Sequence, residues 1–283
     1  MRRWRRWGGA WRGLALLAGL LALWEAAPRL GLVDAVLLPP FSQVAARWGA
    51  LAFSGALWPH VGASVGRVFL GYALALIVAA PLGFYLGLHE QAEETARPLV
   101  QFLRPLAPPA WIPLAILWFG IGDAPAVFII FIGTVLTLLT GTIAAVRGVE
   151  KRLVQTALTL GASRAQAVWQ VILPATLPEM LTLLRLGLGL AWMCVVAAEM
   201  VAVSRGLGFL ILEARNTFST ATVLAGMLTI GAIGLGLDAL LQQAQRRLLR
   251  WQVGRKAYVV LGDLGTVQSL PGRAPSGGSA AAR

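Results

Sequence analysis

The sequence predicts an all-α, polytopic membrane protein with six transmembrane helices. Of its 283 residues, 58% are hydrophobic and only 13% are charged, whereas soluble domains carry about 25% charged residues. Several uncharged runs are close to the roughly 20 residues that a helix needs to cross a bilayer. These two observations exclude an ordinary soluble protein and favour a single unit embedded in the lipid bilayer.

Uncharged runs and the charges beside them place the six spans. The first run, Gly13–Trp24, follows a basic start, a pattern that also resembles a signal peptide. We interpret it as an uncleaved span, because the rest of the chain already lies in the membrane. Val68–Leu88 and Ala124–Val146 carry no charge. Prolines crowd the run after Arg104, so the third span is expected to begin with broken structure. The predicted spans are residues 11–27, 68–88, 105–120, 124–146, 181–203 and 218–240.

The remaining segments are assigned to the membrane surface or to water. Residues 1–10 form a basic N-terminus, residues 11–256 the transmembrane domain, and residues 257–283 a Gly/Ser/Ala/Pro-rich tail predicted to be disordered. Ser42–Leu57 is predicted as an interfacial helix. The uncharged run Trp48–Gly66 is excluded as a span, because it is rich in small residues, contains Pro59 and leaves no turn before the second span.

The distribution of basic residues orients these spans. With six spans, 19 of the 24 lysines and arginines fall on the side of the two termini and of residues 147–178, against five on the other side. The positive-inside rule therefore places both termini and the 147–178 loop in the cytoplasm. The net charge of +12 follows from this topology, and no basic patch with interleaved aromatics indicates a nucleic-acid partner.

The loop between the fourth and fifth spans is the most informative segment. It is polar and helix-forming, and Gly161-Ala162-Ser163 combines a helix stop with a good N-cap. We predict a helix over about 151–160, a sharp turn, and a second helix over about 164–171 that Leu173-Pro174 ends. Such an elbow can dock in a cleft of a partner; the alternative is an ordinary amphipathic re-entry loop.

The spacing in this loop resembles the cytoplasmic coupling signature of ATP-binding cassette (ABC) importer permeases, E-A-A-x3-G-x9-I-x-L-P. The matching positions are Gln155, Thr156, Ala157, Gly161, Val171, Leu173 and Pro174. Three of them depart from the signature, with Gln for Glu, Thr for Ala and Val for Ile. Gln155 keeps the ability to hydrogen-bond but loses the negative charge of the glutamate.

Further strings are similar to the permeases of sulfonate, taurine and nitrate importers. They are Trp111–Gly122, Leu184–Leu186 with Gly189–Trp192, Val196–Met200 and Gly206–Leu210. The resemblance covers residues 65–250 and implies the type I ABC importer permease fold in a bacterial inner membrane. It also implies a homodimer, two cytoplasmic ABC ATPase subunits, a periplasmic or extracellular solute-binding protein, and transport of a small anionic solute by alternating access.

Two residues of the fifth span are candidates for the solute pathway or its gate. Glu199 lies about two-thirds along this span, where a carboxylate is costly and by default marks a functional site. The alternative for Glu199 is a structural pairing with an arginine or a helix end. Trp192 lies two helical turns earlier on the same span. Arg185, at the cytoplasmic start of the span, is expected to snorkel to the interface.

The sequence also limits the chemistry of the chain. It contains no G-x-x-x-x-G-K-[ST] phosphate loop, so ATP hydrolysis is expected in a separate subunit and the chain is not expected to be an enzyme. Its single cysteine, Cys194, and two isolated histidines predict no metal and no cofactor. An ion-coupled secondary transporter is the alternative function, but such carriers show inverted repeats and midplane ionisable groups, and here only Glu199 qualifies.

Cysteine labelling tests this topology. In a Cys194→Ala background, a cysteine introduced at Ser163 should be reached by a membrane-impermeant maleimide only after the cells are opened. A cysteine at Ser204 should be labelled in intact spheroplasts. Labelling of position 163 from the outside would contradict the predicted orientation.

Overall fold

The computed structural model describes residues 4–249, with side chains from residue 13 onward except residue 14. This part of the chain is helical and contains no β-strand. The predicted tail, residues 257–283, and the first three residues of the predicted basic N-terminus lie outside the described residues.

Helices follow one another along the described chain with short connections. Their bounds are α1 (Trp4–Arg29), α2 (Phe41–Phe53), α3 (Leu57–Leu88), α4 (Glu90–Leu103), α5 (Ile112–Phe119), α6 (Asp123–Arg147), α7 (Lys151–Thr159), α8 (Arg164–Ala167), α9 (Leu173–Ala202), α10 (Leu207–Asn216) and α11 (Thr220–Leu248). A 3-10 turn, Pro108–Trp111, precedes α5, and a π-helical turn, Val168–Ile172, joins α8 to α9.

Four stretches of helix are long and apolar enough to cross a membrane. They are α3, α6, α11 and the continuous helix Arg164–Ala202. The pair formed by α4 and Pro108–Phe119 meets the same requirement only when taken together, and it is bent by 83° at its break. Helix α1 covers the first predicted span, but many of its side chains lie outside the described part of the chain, so the count of six spans stays a prediction.

Helix α3 is longer than the second predicted span. It begins at Leu57, so part of the run Trp48–Gly66 that the sequence analysis excluded belongs to this helix. Pro59 lies in the first turn, where the backbone N–H groups have no partner within the helix and a proline is tolerated. Gly55, with φ +81°, supplies the turn that the sequence analysis did not find.

The centre of the fold is the packing of α3 on α6, with α9 against both. Small residues recur at every fourth position of α3: Gly71, Ala75, Ala79, Gly83 and Gly87. A Cβ atom on Gly83 would lie 2.7 Å from the Cβ of Thr142 on α6, and one on Gly87 would lie 2.7 Å from the Cβ of Val146. The two backbones are therefore in close contact along this stripe, as small residues permit between membrane helices.

Substitution of Gly83 tests this close contact. Gly83→Ala should lower the stability of the protein by about 1–3 kcal/mol, because the added methyl group overpacks the α3–α6 interface. Gly62→Ala, on the same helix with nothing within 4 Å of the added atom, is the matched control and should leave stability unchanged or slightly higher. Thermal unfolding in detergent measures both variants, and equal melting temperatures would contradict the proposed packing.

Candidate functional site

The predicted sharp turn between α7 and α8 is present. Gly161 has φ +91°, a conformation that favours glycine. Its N–H donates to the carbonyl of Leu158 at 3.0 Å, and the N–H of Ala162 donates to the carbonyl of Ala157 at 3.1 Å. This pair of bonds is the Schellman arrangement that satisfies the last carbonyl groups of a helix, so α7 ends where the sequence predicts.

The start of α8 is fixed by a capping box. The N–H of Gln166 donates to Ser163 Oγ at 3.3 Å, and the N–H of Ser163 donates to Gln166 Oε1 at 2.8 Å. These reciprocal bonds satisfy two backbone donors at the helix start. We call residues 151–167 the elbow; both of its arms are fixed by local hydrogen bonds.

The predicted helix end at Leu173-Pro174 is wrong. Helix continues from Arg164 to Ala202, so Val171, Leu173 and Pro174 lie inside a long helix. Pro174 cannot donate a hydrogen bond to the carbonyl of Gln170, and the chain accommodates this through a π-helical turn, where the N–H of Leu173 donates to the carbonyl of Val168. The second arm of the elbow is thus continuous with the membrane helix α9.

The elbow presents polar and apolar side chains at its surface. Gln155 and Thr156 are exposed, and no residue of α7 is buried. Leu158 is 43% exposed and Leu160 is 83% exposed. The sequence analysis did not select these two leucines, although two apolar side chains next to the turn of a polar helix are a signal of a docking surface.

Glu199 is enclosed by partners from two other helices. It is completely buried and accepts hydrogen bonds from Ser64 Oγ at 2.8 Å, Arg67 Nη1 at 2.6 Å and the N–H of Gly208 at 3.0 Å. Ser64 and Arg67 lie on α3, and Gly208 lies in the first turn of α10. Glu199 therefore has both of the structural partners that the sequence analysis considered, an arginine and a helix end.

Arg67 extends this network to α6 and to the turn before α10. Its Nε donates to Asp123 Oδ1 at 2.8 Å, and its Nη1 also donates to the carbonyl of Arg205 at 2.6 Å. We call Ser64, Arg67, Asp123 and Glu199 the Glu199 ion cluster. The sequence analysis missed it, although Arg67 and Asp123 are opposite charges that directly precede uncharged runs on the same side of the membrane.

Trp192 and Arg185 connect α9 to α11. Trp192 is 7% exposed, and its Nε1 donates to the carbonyl of Ile230 at 3.0 Å. The guanidinium of Arg185 binds both carboxylate oxygens of Asp238, at 2.5 and 2.8 Å. Its predicted snorkelling to the membrane interface stays a prediction.

Metal-ligating residues are not clustered in the described structure. Among residues 4–249, no group of three or more histidine, cysteine, aspartate or glutamate side chains is placed to hold a metal ion. The polar groups of the structure instead form pairs and clusters that join helices.

The described chain combines helices that are long and apolar enough to cross a membrane with a polar elbow between two of them, as a membrane-embedded subunit would. Residues 71–250 match the family described as the binding-protein-dependent transport system inner membrane component. The chain belongs to this family and is a permease subunit of an ABC importer.

Individual relatives and a solved structure agree with this assignment. The chain is 37% identical over 243 residues to the taurine transport system permease protein TauC of Escherichia coli (strain K12), covering 84% of this chain and 88% of the relative. It is 33% identical to the putative aliphatic sulfonates transport permease protein SsuC of Bacillus subtilis (strain 168), covering 86% and 88%. An inward-facing structure of the MetNI methionine ABC transporter shares the fold, with a TM-score of 0.58 and 21% identity over 69% of this chain and 94% of that chain.

Family membership decides between the two transport hypotheses. It supports the ABC importer permease, and nothing in the comparisons supports the ion-coupled secondary transporter. The resemblance that the coupling loop indicated in the sequence is confirmed at the level of the family.

Removal of charges from the Glu199 ion cluster tests its structural role. Arg67→Met should destabilise the protein by about 3–5 kcal/mol, because it leaves Glu199 buried without its cation. Adding Glu199→Gln should restore part of this loss, since no uncompensated charge then remains in the cluster. Arg215→Gln, an exposed arginine of α10, is the control for charge loss.

Thermal unfolding in detergent measures the Arg67→Met and Glu199→Gln single variants, the double variant and the Arg215→Gln control. A double variant whose loss equals the sum of the two single losses would contradict the pairing of Arg67 with Glu199.

Proposed function

We propose that two copies of this chain form the translocation pathway for a small anionic solute, a sulfonate such as taurine or a related anion. An external solute-binding protein delivers the solute, and cytoplasmic ABC ATPase subunits drive its passage. The names of the relatives, which include taurine and aliphatic sulfonates, support the solute class. The geometry of the elbow is the observation that carries the proposed coupling.

The elbow is the docking element for the ATPase. Leu158 and Leu160 enter an apolar cleft of the ATPase, and Gln155 hydrogen-bonds at its edge. The turn at Gly161 and the capping box at Ser163 hold the two arms at a fixed angle, so little of the ATPase movement is lost in local bending. Because the second arm is continuous with α9, a push on the elbow is delivered directly to a membrane helix.

Helix α9 carries this movement to the pathway. Trp192 and Glu199 lie along α9, and each contacts another helix. In this mechanism Glu199 acts on the gate indirectly, by holding the turn before α10, and Trp192 acts by holding α11. ATP binding closes the two ATPases, draws the two elbows together and changes the side of the membrane to which the pathway opens.

The orientation follows the distribution of basic residues. Both termini and the elbow lie in the cytoplasm, and the Glu199 ion cluster and α10 lie on the side of the binding protein. ATP hydrolysis belongs to the partner subunit, and this chain supplies the pathway and the docking element in the inner membrane.

Substitution of Gly161 tests the coupling. Gly161→Val should be strained by roughly 1 kcal/mol or more at a positive φ, which distorts the elbow while leaving the membrane helices intact. The variant should reach the membrane at normal levels but lose the ATPase on co-purification, and with it transport. Gly161→Asn is the matched control, because asparagine tolerates this conformation, and it should retain most of the activity.

A second control removes the tail. Deletion of residues 271–283, which lie outside the described residues, should change neither ATPase binding nor transport. A Gly161→Val protein that transports normally with its ATPase bound would refute the coupling role of the elbow.

A further inference from the structure

Helix α10 ends in a turn that contains an unusual phenylalanine. Among the residues that the structure describes, Phe218 is the one residue other than glycine with a positive φ, +54°. Its N–H donates to the carbonyl of Arg215 at 3.1 Å, and the N–H of Ser219 donates to the carbonyl of Ala214 at 2.8 Å. This is the Schellman arrangement that also ends α7, where the corresponding residue is Gly161.

The fold gives no reason for a phenylalanine at this position. The turn is closed by backbone hydrogen bonds, which glycine would form equally well, and a left-handed backbone conformation costs free energy for a residue with a Cβ atom. The ring does not offset this cost by packing within the chain, because Phe218 is 88% exposed. Residues held in such conformations cluster at functional and ligand-binding sites. The ring is therefore expected to contact something outside the chain.

The surroundings of Phe218 are polar, as expected of a surface that faces water. Glu213, Arg215 and Asn216, in the last turns of α10, and Thr217 after them are all exposed. The aromatic residues that anchor proteins at a bilayer surface are mainly tryptophan and tyrosine, which carry a polar group that phenylalanine lacks. An aromatic side chain with a polar rim is instead typical of the centre of a protein–protein contact.

The loop after α1 adds a second apolar side chain beside this turn. Thr220, two residues after Phe218, donates from Oγ1 to the carbonyl of Val36 at 2.7 Å. The side chain of Val36 is itself 67% exposed, and its N–H donates to Asp34 Oδ1 at 2.9 Å, which orders the loop. We call Val36, Glu213, Arg215 and Phe218 the Phe218 surface.

Helix α10 connects the Phe218 surface to α9. In the first turn of α10, the N–H of Gly208 donates to the carboxylate of Glu199, and Leu207 and Leu210 pack in a buried cluster with residues of α9. Helix α10 has ten residues and is thus about 15 Å long. A partner bound at one end of this short helix therefore acts on α9 through the other end.

Resting on the proposed function, we infer that the Phe218 surface is a docking site for the solute-binding protein. In the proposed orientation α10 lies on the side of that protein, and the family of this chain is described as binding-protein-dependent. The ring of Phe218 enters an apolar pocket of the binding protein with Val36 at its edge, and Glu213 and Arg215 pair with groups of opposite charge around it. Docking then restrains α10 and, with it, the end of α9.

Binding of the loaded solute-binding protein to the complex tests this site. The full-length chain and its ATPase are placed in lipid nanodiscs, and the Kd of the taurine-loaded binding protein is measured by biolayer interferometry. Phe218→Gly removes the ring and relieves the backbone, so the variant should melt at the same temperature or higher while its Kd rises about tenfold or more. A loss of affinity in a protein that is at least as stable does not come from misfolding.

Two further variants and a second measurement serve as controls. Phe218→Tyr keeps the ring and should bind within about twofold of the unchanged protein, because only a hydroxyl group is added. Phe102→Ala removes a ring that is 71% exposed from α4, in the predicted cytoplasmic loop between the second and third spans, and should leave the Kd unchanged. In ATPase assays, Phe218→Gly should raise the concentration of binding protein that gives half-maximal stimulation and leave the maximum unchanged.

Four results would overturn the inference alone. Phe218→Gly could bind with an unchanged Kd, or it could melt at a lower temperature than the unchanged protein, which gives the ring a role in the fold. A rise in Kd that occurs in nanodiscs but not in detergent assigns the ring to the membrane surface. Loss of one permease copy from the variant complex in native mass spectrometry assigns it to a contact between copies. By contrast, an unchanged complex that binds no loaded binding protein refutes the proposed function, and the inference with it.

Discussion

The burial of one carboxylate, that of Glu199, constrains the half of the molecule around the end of α9. A charge without access to water must be matched by an opposite charge and by hydrogen bonds, and Arg67, Ser64 and the N–H of Gly208 together supply them. Because these groups belong to α3 and α10, the match is complete only when both elements are in place around α9. Arg67 also binds Asp123, so the start of α6 is held in the same network. One desolvated charge thus sets the relative positions of four elements.

The elbow is ordered in a different way, by local interactions. The turn at Gly161, the capping box at Ser163 and the π-helical turn before Leu173 are each stabilised by backbone geometry and local hydrogen bonds. They need no buried core, since the elbow lies at the surface. A surface element of this kind keeps its shape without a bound partner. The continuous helix from Arg164 to Ala202 links it to the buried ion cluster around Glu199.

Local features of the structure could be predicted from the sequence, and contacts between distant residues could not. The glycine stop and the serine cap of the elbow are properties of neighbouring residues, so the turn was predicted correctly. The predicted helix end at Pro174 was wrong, because a π-helical turn can accommodate a proline within a helix. The exclusion of Pro59 from a membrane helix was also wrong, because the first turn of a helix tolerates proline. The pairs Arg67–Glu199 and Arg185–Asp238 join residues far apart in the chain, and a single sequence gives no measure of their proximity. The role of Gln155 in docking stays a prediction.

The turn before α10 also limits which substitutions this sequence can accept. Gly206 has φ +142°, and a Cβ atom at this position would collide with the carboxylate of Glu199. Any other residue at this position would therefore have a strained backbone, and its side chain would also clash with Glu199. The neighbouring Arg205 takes part in the cluster only through its carbonyl, and its exposed side chain is free to vary. Within one turn, the chain thus places a nearly immutable position directly beside a permissive one.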